Sequence, residues 1–267
     1  AELPGSDSPN LDIEVLLCFV LNKDRAYLYT WPEKTLDQSQ LATFSTLLER
    51  RNNGEPIAYI TGAREFWSLP LKVHPSTLIP RPDTERLVEV ALELSPNKSL
   101  NVVDLGTGTG AIALALASER AQWSVTGIDQ SEEAVCLAKE NASLNQLQRV
   151  EFKVGSWCDG LAPESVDLIV SNPPYIAESD PHLTQGDVRF EPLSALVAAE
   201  NGLSDIVDIA KQSSVCLRSN GWLMVEHGFE QASAVRQVFK GCGYSNVSSY
   251  QDLSGNDRVT VGRWQGL

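Results

Sequence analysis

Two short stretches of this chain combine residue types that could do chemistry together: Asp104-Leu105-Gly106-Thr107-Gly108-Thr109-Gly110 and Asn172-Pro173-Pro174-Tyr175. In the first, three glycines let the backbone pass close to a ligand that side chains would block, and they supply the dihedrals of a tight turn. Gly106, Gly108 and Ala111 also satisfy the G-x-G-x-x-(G/A) pattern of dinucleotide-binding folds. Asp129, at the end of the next predicted strand, could accept hydrogen bonds from two neighbouring ribose hydroxyls. Together they point to a nucleoside cofactor without saying which one.

The second stretch carries more specific chemistry. A planar amide or exocyclic amine nitrogen is a poor nucleophile, because its lone pair is delocalised. Two acceptors aimed at its hydrogens, the Asn172 side-chain oxygen and the Pro173 carbonyl, would orient it and favour the charge that develops on it. Pro173 and Pro174 lack N–H groups and stiffen the loop. Tyr175 offers a face on which a flat group can stack. No strong base is needed.

The elements that must hold these residues can be read from periodicity. Buried-strand runs at 101–105, 124–129, 150–154, 166–171 and 222–226 alternate with helical patterns at 111–119, 131–144, 203–217 and 231–239, which implies an α/β fold with a mostly parallel sheet. Two successive strands, 247–251 and 258–263, predict an antiparallel edge pair. Before the sheet, Ile13, Leu16, Leu17, Val20 and Leu21, and later Leu41, Phe44, Leu47 and Leu48, recur at helical spacing and predict a small N-terminal helical domain. The expected organisation is a helical domain over 1–63, a linker with a β-hairpin over 64–82, and the α/β domain over 83–267. In this arrangement both candidate loops leave the carboxyl ends of strands and face one crevice.

Bulk properties narrow the class. A net charge of -14 disfavours direct nucleic-acid binding, which draws much of its affinity from Lys and Arg on phosphates. The longest apolar run near the start falls far short of the ~20 residues that cross a bilayer, so no membrane association is expected. Five widely spaced cysteines with no C-x-x-C pair suit a cytoplasmic protein and neither a disulfide framework nor zinc. No metal is expected: Asp180, Asp187 and Glu191 read as a loop over the site, and His74, His182 and His227 as structural histidines. Trp31, Trp67, Trp123, Trp222 and Trp264 read as core or edge packing.

Taken together, the two loops resemble class I (Rossmann-like) methyltransferases that modify amide or amino nitrogens. The wider set Arg64-Glu65-Phe66-Trp67, Leu78-Ile79-Pro80-Arg81-Pro82, Phe190-Glu191-Pro192, Glu226-His227-Gly228 and Asp257-Arg258-Val259 is similar, over almost the whole chain, to the HemK/PrmC family, the glutamine methyltransferases of peptide chain release factors. The resemblance implies N5-methylation of the glutamine in the Gly-Gly-Gln motif of class 1 release factors, with S-adenosylmethionine as donor and S-adenosylhomocysteine as product, in support of translation termination. It implies cofactor contacts from Gly106, Thr107, Gly108, Thr109, Gly110, Asp129, Trp157 and Asn172. It assigns the glutamine to Asn172, Pro173, Pro174 and Tyr175, the first two catalytic, and gives the N-terminal domain a grip on the release factor. A monomer is expected. Related methyltransferases often place an acid after the third strand to contact adenine, whereas Gly155-Ser156-Trp157 stands here. The rivals are an adenine-N6 methyltransferase, a non-catalytic binding protein and a dinucleotide-dependent oxidoreductase, the last of which leaves the Asn172 loop unexplained.

Overall fold

The computed structural model describes residues 3, 6, 8–95 and 98–266. The chain divides into two compact units, Ala1–Ala63 with Pro181–Glu191, and Arg64–Asp180 with Pro192–Leu267.

The smaller unit is helical: α1 (Pro9–Leu21), α2 (Arg25–Thr30), α3 (Gln38–Asn52) and α4 (Ile57–Thr61). Its helix ends are fixed locally. Asp37 and Gln40 form a reciprocal capping box at the start of α3, and Asn22 ends α1 in the left-handed conformation. The core is thin: Leu16, Leu47 and Ile60 are buried, with Val20, Phe44, Leu48 and Ile57 packed around them. A buried ion pair supplements it, with Arg51 Nε donating to Asp12 Oδ2 at 2.7 Å. The same guanidinium reaches Asp187 at 3.1 Å, and Arg189 donates to the Asn53 carbonyl at 2.9 Å. These contacts tie the distant segment Pro181–Glu191 to this unit. Hydrophobic periodicity could not reveal that, because the attachment is made of charges and carbonyls.

A hairpin of β1 (Ala63–Phe66) and β2 (Leu69–Lys72) begins at the last residue of the helical segment and otherwise belongs to the larger unit. Trp67 and Ser68 both have positive φ, the geometry of a tight two-residue hairpin turn. The hairpin is stitched to the α/β layer by Asn141, whose amide accepts from Lys72 N–H at 2.7 Å and donates to the Lys72 carbonyl at 3.0 Å. A 3₁₀ turn at Pro82–Thr84 leads into α5 (Glu85–Leu94).

The remaining elements are β3 (Asn101–Leu105), α6 (Ala111–Glu119), β4 (Ser124–Asp129), α7 (Glu132–Leu144), β5 (Glu151–Val154), β6 (Val166–Ser171), the single turn α8 (Ala199–Gly202), α9 (Ser204–Cys216), β7 (Leu217–Glu226), α10 (Ala232–Gly241), β8 (Ser245–Gln251) and β9 (Asp257–Arg263). They form a seven-stranded sheet in the order β5-β4-β3-β6-β7-β9-β8, with β9 antiparallel to β7 and β8. This is a Rossmann-like α/β architecture with an antiparallel edge pair. Residues 111–117 of α6 are all buried, and the helix alternates Ala with Ile and Leu so that it fits between its neighbours. Leu168 and Ile169 of β6 are fully buried on opposite faces, each contributing roughly 1.5–3 kcal/mol by removing apolar surface from water.

One strand is longer than its pattern predicts. β7 starts at Leu217 rather than 222, because buried Leu217 already pairs with Val166. The polar run Arg218-Ser219-Asn220, with Asn220 at φ 67, hides this start and coincides with a register shift.

Candidate active site

The sheet fixes where the site must be. β3 runs on to β4 and β5 in one direction, while β6 and β7 lie on its other side, so the topological switch falls between β3 and β6. Open α/β sheets bind ligands at such a point, beyond the carboxyl ends of the strands. Leu105 is in register with Ser171, and the Ser171 hydroxyl donates to the Leu105 carbonyl at 2.7 Å. The next residues out of each strand, Gly106 and Asn172, are thereby brought to the same level. A cavity of about 230 Å³ opens there, bordered by Gly106, Thr107, Gly108, Thr109, Asp129, Trp157, Asn172 and Pro174. Gly110, Pro173 and Tyr175 stand outside that lining.

The glycine turn is held by its own backbone N–H groups, mostly against the end of β4. Gly106 and Thr107 N–H both donate to the Ile128 carbonyl, Gly110 N–H donates to the Thr107 carbonyl, and Gly108 N–H donates to Asp129 Oδ2 at 2.9 Å. Below it, Asp104 accepts from the Thr107 hydroxyl at 2.6 Å and from Ala113 N–H at 3.2 Å, while its Oδ1 has no partner. Burial pushes the Asp104 carboxyl up to about 7 against those two hydrogen bonds, with the nearby Asp129 charge adding to the rise. Gly108, at φ +52, borders the cavity and has open space where a Cβ would stand. Gly110 differs: at φ +82 its Cβ would press on Ala138 and Phe152 at 3.1 Å, which makes it a packing glycine. Asp129 Oδ1 also accepts from Ser131 N–H at 2.9 Å. Each carboxylate oxygen therefore keeps capacity for one further donor.

The acceptor loop is built from side chains. Asn172 Nδ2 donates to Thr84 Oγ1 at 3.1 Å, while Asn172 Oδ1 is covered and has no hydrogen-bond partner. A buried acceptor left unmatched costs roughly 1–3 kcal/mol, so a donor that reached this one would be favoured. The Tyr175 hydroxyl donates to Glu226 Oε1 at 3.3 Å, and burial pushes the phenol up, assisted by the Glu226 charge. Glu226 is fully buried, and desolvation raises its carboxyl to about 7, opposed by Thr84, Arg258 and Tyr175.

Several residues at the site carry no signal in a sequence pattern. Thr84, Ser194, Ala195 and Asp205 border the cavity, and burial raises the Asp205 carboxyl. Thr84 lies 88 positions before Asn172, and only the tertiary fold joins them.

The residues discounted in the sequence have structural surroundings. His227 is buried between the Gly228 carbonyl and the Thr260 hydroxyl, and burial lowers its pKa. Asp187 is engaged by Arg51. The five cysteines are free, with only Cys158 and Cys216 buried. Trp31 is 48% exposed and sits under Lys34 rather than in a core. Among the described residues, no helix is long and apolar enough to cross a membrane.

Comparison with known proteins shows the family. Residues 1–62 match a family model described as the PrmC N-terminal domain, and residues 96–257 match a methyltransferase domain. The chain is 59% identical over 264 residues to the release factor glutamine methyltransferase of Aliivibrio fischeri, covering 98% of this chain and 93% of the relative. The protein of the same name from Vibrio cholerae is 58% identical, covering 98% and 92%, and that of Escherichia coli 50% identical, covering 99% and 95%. Among solved structures, a methyltransferase from Pyrococcus furiosus aligns with a TM-score of 0.57 at 18% identity, over 84% of this chain and all of that one. A ribosomal protein L11 methylase from Lactobacillus delbrueckii subsp. bulgaricus aligns at 0.52 and 19% identity, over 70% and 81%. These two support the fold.

Proposed function

Because the chain belongs to the release factor glutamine methyltransferase family, we propose that it transfers a methyl group to the side-chain N5 of the glutamine in the Gly-Gly-Gln motif of class 1 peptide chain release factors, in support of translation termination. The observation that carries this reading is the covered, partnerless Asn172 Oδ1 beside the glycine turn. A planar amide N–H is the donor that would satisfy it.

The residues fit S-adenosylmethionine better than a dinucleotide. The N–H groups of Gly106, Thr107, Gly108 and Gly110 are already taken by protein acceptors, so the turn itself offers few donors to the phosphates that a Rossmann dinucleotide places there. The acids bordering the cavity, Asp129 and Asp205, suit a cofactor that carries positive charge. Open space at the Gly108 Cβ position leaves room for the ligand. Gly106 through Thr109 would lie along the methionine part, with Gly110 holding the turn's shape. Asp129 would bind the ribose hydroxyls, and Trp157, whose ring stands 3.4 Å from where a Gly106 Cβ would be, would cover the nucleoside beside Gly155 and Ser156. When bound, the cofactor supplies an electrophilic methyl on a sulfonium.

The chain's own part is orientation and charge stabilisation. Asn172 Oδ1 and the Pro173 carbonyl would accept the two amide hydrogens of the glutamine, hold its plane, and favour the partial positive charge that grows on nitrogen as its lone pair is engaged. After transfer, the extra proton on nitrogen leaves to water. Pro174 closes the cavity wall, and the Tyr175 ring would flank the amide while its hydroxyl is tethered to Glu226. The helical unit, matching the PrmC N-terminal domain, would grip the release factor, and the enzyme would act as a monomer in the cytoplasm, consistent with its five free thiols.

The test is incubation with S-adenosylmethionine and unmodified release factor, followed by mass spectrometric mapping, with a factor whose target glutamine is replaced as control. One added methyl on that glutamine, absent from the control, is the expected result. No transfer to the factor, with transfer to adenine in a nucleic acid instead, would overturn it.

A further inference from the structure

Two sequence blocks remain without a role in the reaction as described: the Thr84 end of the Arg81-Pro82-Asp83-Thr84 turn and Glu226 at the end of β7. The structure brings both beneath the acceptor loop. Asn172 Nδ2 donates to Thr84 Oγ1 at 3.1 Å, and Tyr175 donates to Glu226 Oε1 at 3.3 Å. The Thr84 hydroxyl lies close enough to Glu226 to favour its ionised form, although no hydrogen bond joins the two in the resting site, and Glu226 Oε2 has no hydrogen-bond partner. Thr84 and Glu226 are 4% and 1% exposed, so water does not compete for these groups.

We propose that Glu226 and Thr84 are positioning residues that set which end of the Asn172 amide faces the substrate. The argument is one of donor and acceptor polarity. An ionised carboxylate can only accept, so the field of a charged Glu226 turns the Thr84 O–H toward it. The lone pairs of Oγ1 are then turned to Asn172, which must present Nδ2 to them. Oδ1 is thereby left as the free acceptor that the glutamine amide requires. A neutral Glu226 exerts no such pull. Thr84 would then donate to Asn172, the side-chain amide would turn over, and the site would offer N–H to N–H. Networks of this kind act as units because each bond polarises the next.

The surroundings of Glu226 bear on its charge. Arg258 approaches it but is shared with Asp252 at 3.1 Å and Asp83 at 3.7 Å. Asp83 and burial favour the neutral carboxyl; Arg258, Thr84 and Tyr175 favour the ionised one, and Arg81 acts on Tyr175. The balance leaves this carboxyl near neutrality, at about 7. The acceptor form of the site is therefore filled as pH rises through that range and emptied as pH falls.

This inference rests on the glutamine reading, and its test separates the two. Wild type, Thr84→Val, Thr84→Ser and Glu226→Gln are compared in release factor methylation across pH, with S-adenosylmethionine affinity by calorimetry and thermal melts alongside. Exchange of the Asn172 side-chain amide protons is followed by NMR without any substrate. The expected results are a kcat about tenfold lower for Thr84→Val at unchanged cofactor affinity, most of the rate restored in Thr84→Ser, and faster exchange at Asn172 in Thr84→Val only. Glu226→Gln is expected to lose the fall in kcat that wild type shows as pH drops through about 7. An unchanged kcat and exchange rate in Thr84→Val, or an acid limb that persists in Glu226→Gln, would overturn the relay. Should Thr84→Val fail to fold, the Glu226→Gln profile decides. A wild type that moves no methyl to the glutamine would sink the functional reading, while the exchange measurement would still judge the relay.

Discussion

The glycine turn after β3 and the acceptor loop after β6 leave neighbouring strands at the same level, yet they are built in opposite ways. The turn is held through its backbone: four of its N–H groups are satisfied, three by Ile128 and Asp129 of the neighbouring strand β4 and one by Thr107, and its shape depends on residues at positive φ that only glycine adopts without strain. The loop is held through its side chains, by Thr84 from 88 positions earlier and Glu226 from later in the chain, and it keeps an acceptor unmatched. A satisfied backbone suits a binding surface that must present the same shape before and after turnover. An unmatched side-chain acceptor suits a place where charge changes during reaction, since its missing donor arrives with the substrate.

If the division is right, damage to the two loops should appear in different kinetic constants. The largest effect is expected for Asn172→Ala, which should lower kcat on release factor about 10²–10³-fold, the range for removing one preorganised stabilising group. Steady-state and single-turnover rates would check it. Next, Gly108→Val should raise the dissociation constant for S-adenosylmethionine at least about tenfold, because it puts a branched side chain at positive φ into open ligand space. Calorimetry reads this directly, and a variant that instead lost kcat at normal affinity would erase the contrast.

Both loops were legible in the sequence because their chemistry is contiguous: seven residues for one, four for the other, each placed directly after a strand whose apolar run is unmistakable. What escaped was everything that depends on a partner far along the chain. Thr84 reads as an ordinary helix-start residue, and Glu226, although part of the Glu226-His227-Gly228 block, gives no hint of its contact with Tyr175. The attachment of residues 181–191 to the helical unit, through Arg51 with Asp187 and Arg189 with the Asn53 carbonyl, leaves no periodic trace. The start of β7 at Leu217 was hidden because its following residues are polar. Gly127 gave no signal either: its bareness is required by the Phe152 ring, which a Cβ would meet at 2.6 Å.

A smaller effect concerns pH and the buried acid under the turn. Asp104 is raised to about 7 from an ordinary 3.8, so the folded state holds its proton where the unfolded chain has lost it. The stability that this proton contributes is fully present below the unfolded pKa and is lost as pH rises through the folded one. Wild type should therefore weaken between about pH 5 and about pH 8. Asp104→Asn should shrink that loss by roughly 2–3 kcal/mol in urea titrations at the two pH values. An unchanged slope would mean that Asp104 is ionised throughout. The smallest effect is expected for Tyr175→Phe, which keeps the ring and drops only a long 3.3 Å hydrogen bond to Glu226. Its kcat should fall about two- to fivefold. A larger loss would shift weight from the ring to the hydroxyl.

The most direct test of the central claim measures binding and chemistry in one variant. Asn172→Ala should bind S-adenosylmethionine detectably, weakened relative to wild type, while its single-turnover methylation of release factor glutamine falls by at least about a hundredfold. A single-turnover rate close to wild type would contradict the account and remove Asn172 from the reaction.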